Sequence, residues 1–403
     1  MCKNFGNKWL RWALINLVLV ALYGTLMRYK IAFNFPYLEQ KNLLHAHSHF
    51  AFAGWISHVL YTGLAIIIGS VISEQKIKKY NLLILANLLC AFGMLISFTM
   101  LGYKAISIVF STSSIVVAIL FCISFIKDAK SMSSTHPSKC WAITGLLLNI
   151  LSSAGPFFLA YMLMSKNINS QSYLGSVYYY LHFQYSGWFF FGAMAIAASM
   201  LPATILLKKY FWGFTITVIP TLFLSLLWAK LPGWLYVVTV IAAIVQLITW
   251  VMLLIKTIPV VKNLQPGYPK WINVFFYAAA FALTLKFLLQ AISVVPSLSQ
   301  LVFGIRSIVI AYLHLILLGV YSLFIIGYAF AKGSLKISKF ACIAAFIFLC
   351  GVFLNELLLG IQGFAAFFYI PVSHINEMLF AIAVMLLLGS VLLASSQIKR
   401  KLD

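Results

Sequence analysis

The chain has 403 residues, of which 63% are hydrophobic and only 8% are charged. So small a charged fraction leaves too little polar surface to cover a water-soluble globule of this size. The net charge of +22 could indicate nucleic-acid binding, but the basic residues lie in short stretches between apolar runs. In that position they indicate membrane topology, so the lipid bilayer is the expected partner and nucleic acid is not.

Apolar runs recur along the whole chain, each long enough to cross roughly 30 Å of hydrocarbon as a helix. We therefore predict an all-α polytopic membrane protein with about twelve transmembrane helices. In chain order the predicted helices are Leu10–Met27, Leu43–Ser73, Leu82–Tyr103, Ala105–Ile126, Trp141–Met164, Val177–Met200, Tyr210–Ala229, Trp234–Ile255, Trp271–Val294, Ser307–Phe330, Phe340–Gly360 and His374–Ser395.

The basic residues are distributed unequally between the two sides of these helices. Of the 28 Lys and Arg residues, 20 fall on the side of the two chain ends, 7 fall on the other side, and Lys286 lies inside a helix. Positive charge accumulates in cytoplasmic loops. We therefore expect a multi-pass protein of a bacterial inner membrane with both termini in the cytoplasm.

Three segments of the chain resemble one another in the pattern His-x-x-x-x-Gly. They are His49–Trp55, His182–Trp188 and, more loosely, His314–Val320, and their histidines are separated by 133 and 132 residues. Each interval corresponds to four predicted helices. The pattern predicts a single transmembrane domain made of three pseudo-repeated four-helix units, roughly residues 1–137, 138–270 and 271–403.

Parallel repeats place equivalent residues at the same depth, so most of the histidines are expected to form one layer near the outer face. Neutral imidazole is a good ligand for the iron of haem and for copper. The candidate cofactor-binding residues are His45, His47, His49, His182, His314 and His374. The candidate metal ligands among them are His47, His49, His182 and His314, with His49, His182 and His314 as the expected core.

Three ionisable residues are candidates for a proton path or for supporting contacts around the histidines: Lys286, Glu356 and Glu377. Charged groups within membrane segments are costly to bury and are functional candidates for that reason. Glu377 follows His374 by three residues and shares its helix face. A structural Lys286–Glu356 contact is the other interpretation of that pair.

Twelve helices in three units, with histidines near the outer ends of the second, sixth and tenth, resemble the haem-copper oxidase subunit I superfamily, which includes nitric oxide reductases. The segment His47–Gly54 is similar to a haem-ligating element of the nitric oxide reductase branch. His374–Phe380 is similar to a motif of the NnrS family. However, the chain has no adjacent His-His pair, which argues against the usual three-histidine copper centre.

The resemblance implies a haem-binding, and as a further option copper-binding, membrane redox protein. Its role would be respiratory electron transfer or the handling of nitric oxide or oxygen, with a quinol or another redox subunit as electron donor. Two alternatives stay open. The same histidines and ionisable residues could serve a proton- or metal-coupled transporter, or a non-enzymatic protein that retains haem for assembly or sensing.

Overall fold

A computed structural model describes residues 2–167, 169–202, 208–263, 267–298 and 305–398, and every regular element within them is helical. Eleven helices in this part of the chain are long and apolar enough to cross a membrane. They are Phe5–Ala32, Gln40–Gly69, Glu74–Leu101, Ala105–Ser131, Lys139–Met162, Lys209–Ala229, Gly233–Lys262, Lys270–Ile292, Arg306–Ala331, Lys339–Phe367 and Ile375–Ser395. The predicted class of a multi-pass helical membrane protein is confirmed.

The predicted count of twelve is not confirmed, because the sixth predicted helix does not meet the same criterion. Residues 170–198 are helical, as Ser170–His182, a π-helix at Phe183–Trp188, and Phe189–Ala198. The segment carries several tyrosines together with His182 and Gln184, and these side chains lower its mean hydropathy below that of the other spans. The structure thus contains the predicted helix, but the helix is not apolar enough to count as a membrane span by the same criterion.

Two of the predicted helices are interrupted near prolines. The fifth breaks after Ser152 and resumes at Ala154–Met164, with Pro156 in the first turn of the second piece. The seventh changes from an α-helix at Lys208–Thr217 to a 3-10 helix at Pro220–Ala229. Proline has no N–H to donate and clashes with the preceding turn, so it favours a break at these two positions, whereas Pro259 lies inside the helix Gly233–Asn263 without ending it.

The chain divides into two compact units. The first unit comprises Met1–Phe121, Gly267–Ala279 and Leu313–Asp403, and the second comprises Cys122–Pro266 and Ala280–Tyr312. The three predicted pseudo-repeats stay a prediction, since this division has two parts and joins segments from both ends of the chain.

Within the first unit, the helix Gln40–Gly69, called the His47 span below, is surrounded by protein. In its most apolar stretch 89% of the residues are buried, whereas no other span exceeds 50%. Its neighbours in this unit include the first helix, through the bond from the His58 Nε2 to the Trp9 carbonyl at 3.1 Å. A span so enclosed can carry polar side chains that lipid would exclude.

The second unit has an aromatic core of its own. Trp141 is fully buried, with ring centroids 5.2 Å from Phe211 and 5.5 Å from Phe191. Gly145, one turn after Trp141, would place a Cβ only 3.1 Å from the backbone nitrogen of Gly192. The glycine therefore permits a close approach of two helix backbones, a packing common in membrane proteins.

Candidate functional site

A short π-helix follows each of the three histidine motifs. The segments are Ala51–Ser57, Phe183–Trp188 and Leu315–Ser322, and no other π-helix occurs in the residues that the structure describes. π-Helices are rare and are frequently found at functional sites. The three motifs thus share a local backbone structure as well as a sequence pattern, which supports a functional role for these segments.

Two asparagines satisfy backbone carbonyls of the first π-helix. The Asn16 Nδ2 donates to the Gly54 carbonyl at 2.5 Å, and the Asn87 Nδ2 donates to the Ala53 carbonyl at 3.0 Å. A π-turn leaves a carbonyl without its usual helical partner, and a buried carbonyl without a donor is costly. Side chains from two neighbouring helices therefore stabilise the irregular turn.

The first and third π-helices are joined by a direct hydrogen bond. The Trp55 Nε1 donates to the Ser322 Oγ at 2.8 Å, and the Ser322 hydroxyl donates to the Leu317 carbonyl, also at 2.8 Å. Both Trp55 and Ser322 are buried. The bond holds the helices that carry His47 and His314 side by side, since one partner lies in each π-helix.

His47 faces the first helix and His314. One ring nitrogen of His47 donates to the Val20 carbonyl, while its Nδ1 is buried without a hydrogen-bond partner. His47 also interacts electrostatically with His314. Beside the ring stands Gly24, where an added Cβ would lie 3.5 Å from the His47 Cε1. The structure therefore brings together two of the predicted ligands, next to a residue with no side chain.

His45 and His49 lie on a different face of the same helix. The His49 Nε2 is 3.3 Å from the Tyr103 hydroxyl, and its ring stacks on Phe98 with centroids 4.5 Å apart. The His45 ring meets the Tyr103 ring edge-on at 4.6 Å. Residues two apart on a helix point in nearly opposite directions, so His49 is turned away from the side that His47 occupies.

His182 belongs to the second unit, where it is buried and hydrogen-bonded. Its Nε2 lies 2.7 Å from the Val218 carbonyl, and only 3% of the residue is exposed. The carbonyl is available because the helix breaks before Pro220: the Leu222 N–H bonds the Ile219 carbonyl instead of the Val218 carbonyl. The proline interruption thus supplies the acceptor that orients this histidine.

Lys286 is the only basic residue that sequence analysis placed inside a helix, and it begins a buried chain of polar side chains in the second unit. Its Nζ donates to the Gln290 Oε1 at 2.7 Å, the Gln290 Nε2 donates to the Gln246 Oε1 at 2.8 Å, and the Gln246 Nε2 reaches the Thr221 Oγ1 at 3.2 Å.

The chain of bonds ends beside His182. Thr221 lies within hydrogen-bonding distance of the Val218 carbonyl that His182 also contacts, and His182 interacts electrostatically with Lys286. The Lys286 ammonium lies 4.3 Å from the centre of the Phe287 ring. The partners that the structure gives Lys286 are thus an amide and an aromatic face, and the predicted pairing with Glu356 stays a prediction.

The contacts that the structure gives the remaining predicted site residues are with other partners. The His374 Nδ1 is 3.8 Å from the Glu377 Oε1, but 81% of the His374 side chain and 48% of the Glu377 side chain are exposed. Glu356 accepts a hydrogen bond from the Asn355 Nδ2 at 3.1 Å. His374 and Glu377 therefore form a surface pair, which would contribute little to stability.

Sequence reasoning missed several residues that the structure makes prominent. The buried amides Asn16, Asn87, Gln246 and Gln290 all make the contacts described above, and Tyr103 contacts two histidines. A usable signal existed. A side-chain amide inside an apolar run is expensive to bury without a partner, so each one marks a specific contact.

Across the described ranges, no group of three or more His, Cys, Asp or Glu side chains converges at one point. The structure instead yields two histidine pairs in the first unit, His47 with His314 and His45 with His49, and places His182 in the second unit. A pair of imidazoles is the ligand set of a bis-histidine haem, whereas a structural zinc site needs four ligands.

The fold defines a multi-pass helical membrane protein, and polar side chains are buried inside it. No protein-family model and no curated protein matches the chain. The resemblance to the haem-copper oxidase superfamily and to the NnrS family therefore rests on the motifs alone.

Proposed function

We propose that this protein is a haem-binding redox protein of a bacterial inner membrane, and that His47 and His314 hold the haem iron. The observation that carries the proposal is the state of His47: one ring nitrogen donates to the Val20 carbonyl, the other is buried without a partner, and His314 is its electrostatic neighbour. Histidines that ligate metals almost always donate their second ring nitrogen to a carbonyl or carboxylate.

The surroundings of His47 fit this role. Haem bound there would supply one-electron chemistry at its iron. The Val20 carbonyl fixes the orientation of the His47 ring, and the bond from Trp55 to Ser322 holds the two histidine-bearing helices together. Gly24 leaves space beside the ring that a larger residue would fill. The sequence-based expectation had His49, His182 and His314 as the core ligands. In this proposal His47 takes the place of His49, and His182, which contacts the Val218 carbonyl, is not a ligand.

A haem spectrum tests the proposal directly. The protein purified after expression with adequate haem is expected to show a Soret band, and this band should disappear in His47→Ala and in His314→Ala. The matched control is His374→Ala, which removes a surface histidine and should leave the band intact. Absence of a Soret band in the unmodified protein, or its persistence in both variants, would contradict the proposal.

The resemblance supports a role in respiratory electron transfer or in the handling of nitric oxide or oxygen. Electrons would come from a quinol or from a partner redox subunit. Consumption of oxygen or nitric oxide with a quinol donor distinguishes an oxidoreductase from a haem-retaining assembly or sensor protein. Copper bound jointly by His47, His49, His182 and His314 is less favoured, since His49 contacts Tyr103 and His182 contacts Val218.

The buried Lys286 favours a second candidate, a proton- or metal-coupled transporter. An ammonium group inside a membrane span is a functional candidate by default. Its hydrogen bond goes to the neutral amide of Gln290. Proton or metal uptake by proteoliposomes of pigment-free protein, lost in Lys286→Met, would favour the transporter over the haem protein.

The proposed orientation has both chain ends in the cytoplasm, following the excess of positive charge on their side. Reporter fusions test it. A reporter active only outside the cytoplasm should be inactive when fused after the last helix, Ile375–Ser395, and active when fused in the loop after Leu101. The opposite pattern would reverse the orientation.

A further inference from the structure

A second cluster of ligand-type side chains lies on the face of the His47 span that does not hold His47. It consists of His45 and His49, one helical turn apart, together with Tyr103 from the segment that follows the helix Glu74–Leu101. We propose that His45, His49 and Tyr103 bind a divalent late transition-metal ion, with Cu²⁺ as the tightest-binding representative.

The three side chains meet around the phenol ring. The His49 Nε2 is 3.3 Å from the Tyr103 hydroxyl oxygen, and the His45 and Tyr103 ring centroids are 4.6 Å apart. The two imidazoles interact electrostatically with each other. Residues spaced i and i+4 lie on one helix face, about 6 Å apart, which is the spacing at which two imidazoles can share an ion.

The rings are held in place by Phe98. The His49 ring stacks on it with an angle of 3° between the ring planes, and the Tyr103 ring meets it edge-on at 4.9 Å. Rotamers fixed in this way lower the entropy that would be lost on metal binding.

A ring nitrogen of His45 that lacks a hydrogen-bond partner is a second, independent indication of a ligand. The His45 Nε2 is buried and has no hydrogen-bond partner. A buried imidazole nitrogen without a partner costs free energy, and a metal ion would satisfy it.

The donor set decides the class of ion. Imidazole nitrogen suits copper, zinc and nickel, and among divalent ions of the first transition row the affinity of such sites is greatest for Cu²⁺. Water can complete the coordination, because half of the Tyr103 surface is exposed (50%) and gives the ion a route of entry. The hard ions Mg²⁺ and Ca²⁺ prefer carboxylates and carbonyls, which this cluster does not offer.

This metal site does not depend on the proposed haem. His47 and His314 are the haem ligands in that proposal, and neither belongs to the cluster around Tyr103. Either site could therefore be absent without the other, and separate measurements distinguish the two: a Soret band for the haem, and copper binding for this cluster.

Titration of the tag-free purified protein with Cu²⁺ tests the inference. We expect one ion to bind, with an electron paramagnetic resonance spectrum that shows coupling to two imidazole nitrogens. His45→Ala and His49→Ala should each weaken binding at least tenfold, on the order of the loss seen when a group that supports a metal is removed. Tyr103→Phe should weaken it less.

His374→Ala is the matched control, since it removes one exposed histidine from the same unit and should leave the affinity unchanged. The double variant His45→Gln/His49→Gln keeps polar side chains at both positions. Its size-exclusion elution should match that of the unmodified protein, which shows that binding is lost without loss of the fold. Copper affinity that is unchanged in both alanine variants, or that falls equally in His374→Ala, would overturn the proposal.

Discussion

The half-buried His47 and the buried His182 show how two histidines in one protein can differ in their surroundings. His182 has its Nε2 on the Val218 carbonyl, within a network that continues through Thr221 and Gln246 to Lys286. His47 has a buried Nδ1 with no partner. A satisfied network fixes a structure, whereas an unsatisfied ring nitrogen is available for a ligand. The contrast separates the histidines that sequence analysis grouped into one layer.

The network around Lys286 should be the more sensitive to mutation. Gln290→Leu would deprive both the Lys286 ammonium and the Gln246 carbonyl oxygen of their partners. Leaving a buried charge without its partner is expected to lower the free energy of unfolding by about 3–5 kcal/mol. Thermal unfolding in detergent measures this loss.

The control for that prediction is the double variant Lys286→Met/Gln290→Leu. It removes the ammonium together with its acceptor, so part of the lost stability should return. A double variant no more stable than Gln290→Leu alone would show that the charge is not the source of the effect.

His182→Phe should have a smaller effect. The Val218 carbonyl would lose its imidazole partner but would keep a weaker contact with the Thr221 hydroxyl at 3.2 Å, which is shared with the Thr217 carbonyl at 2.8 Å. We expect a loss of about 1 kcal/mol, typical of one buried hydrogen bond, with no change in any Soret band. A lost Soret band together with a normal melting temperature would instead assign His182 to the haem.

His47→Phe should change the stability of haem-free protein least, by less than about 1 kcal/mol in either direction. The substitution removes one ring nitrogen that has no partner and one bond to the Val20 carbonyl. Val20 lies inside the regular helix Cys2–Ala32, so its carbonyl keeps a helical partner and the cost is small. Unfolding of haem-free protein measures it. A destabilisation as large as that of Gln290→Leu would mean that His47 is structural.

Much of the fold was predictable, because apolar length alone identifies membrane helices. The eleven spans all overlap predicted ones, and the breaks near Pro156 and Pro220 follow from proline chemistry. The sixth helix shows the limit of this reasoning. The segment is helical, but its tyrosines and its buried Gln184 make it less apolar than the other spans. The Gln184 Nε2 donates to the Asn149 Oδ1 at 2.8 Å.

The site was predictable only in part. The spacing of the three motifs selected the segments that contain all the π-helices in the described part of the chain. It could not distinguish His47 from His49, since that choice depends on which neighbouring helices lie on each face. The partner of Lys286 could have been predicted, because Gln290 follows it by four residues and side chains at that spacing are neighbours on a helix.

The π-helix at Ala51–Ser57 sets the orientation of His47 relative to the rest of its helix. A π-turn is a helix with one residue inserted, and each residue corresponds to about 100° of rotation about the helix axis. Deleting one residue between Ala51 and Ser57 would keep the span apolar and long enough to cross the bilayer. It would also rotate His47 by more than a quarter turn relative to His58 and the rest of the helix. The number of residues in this turn, as much as the histidines themselves, therefore determines whether His47 faces His314.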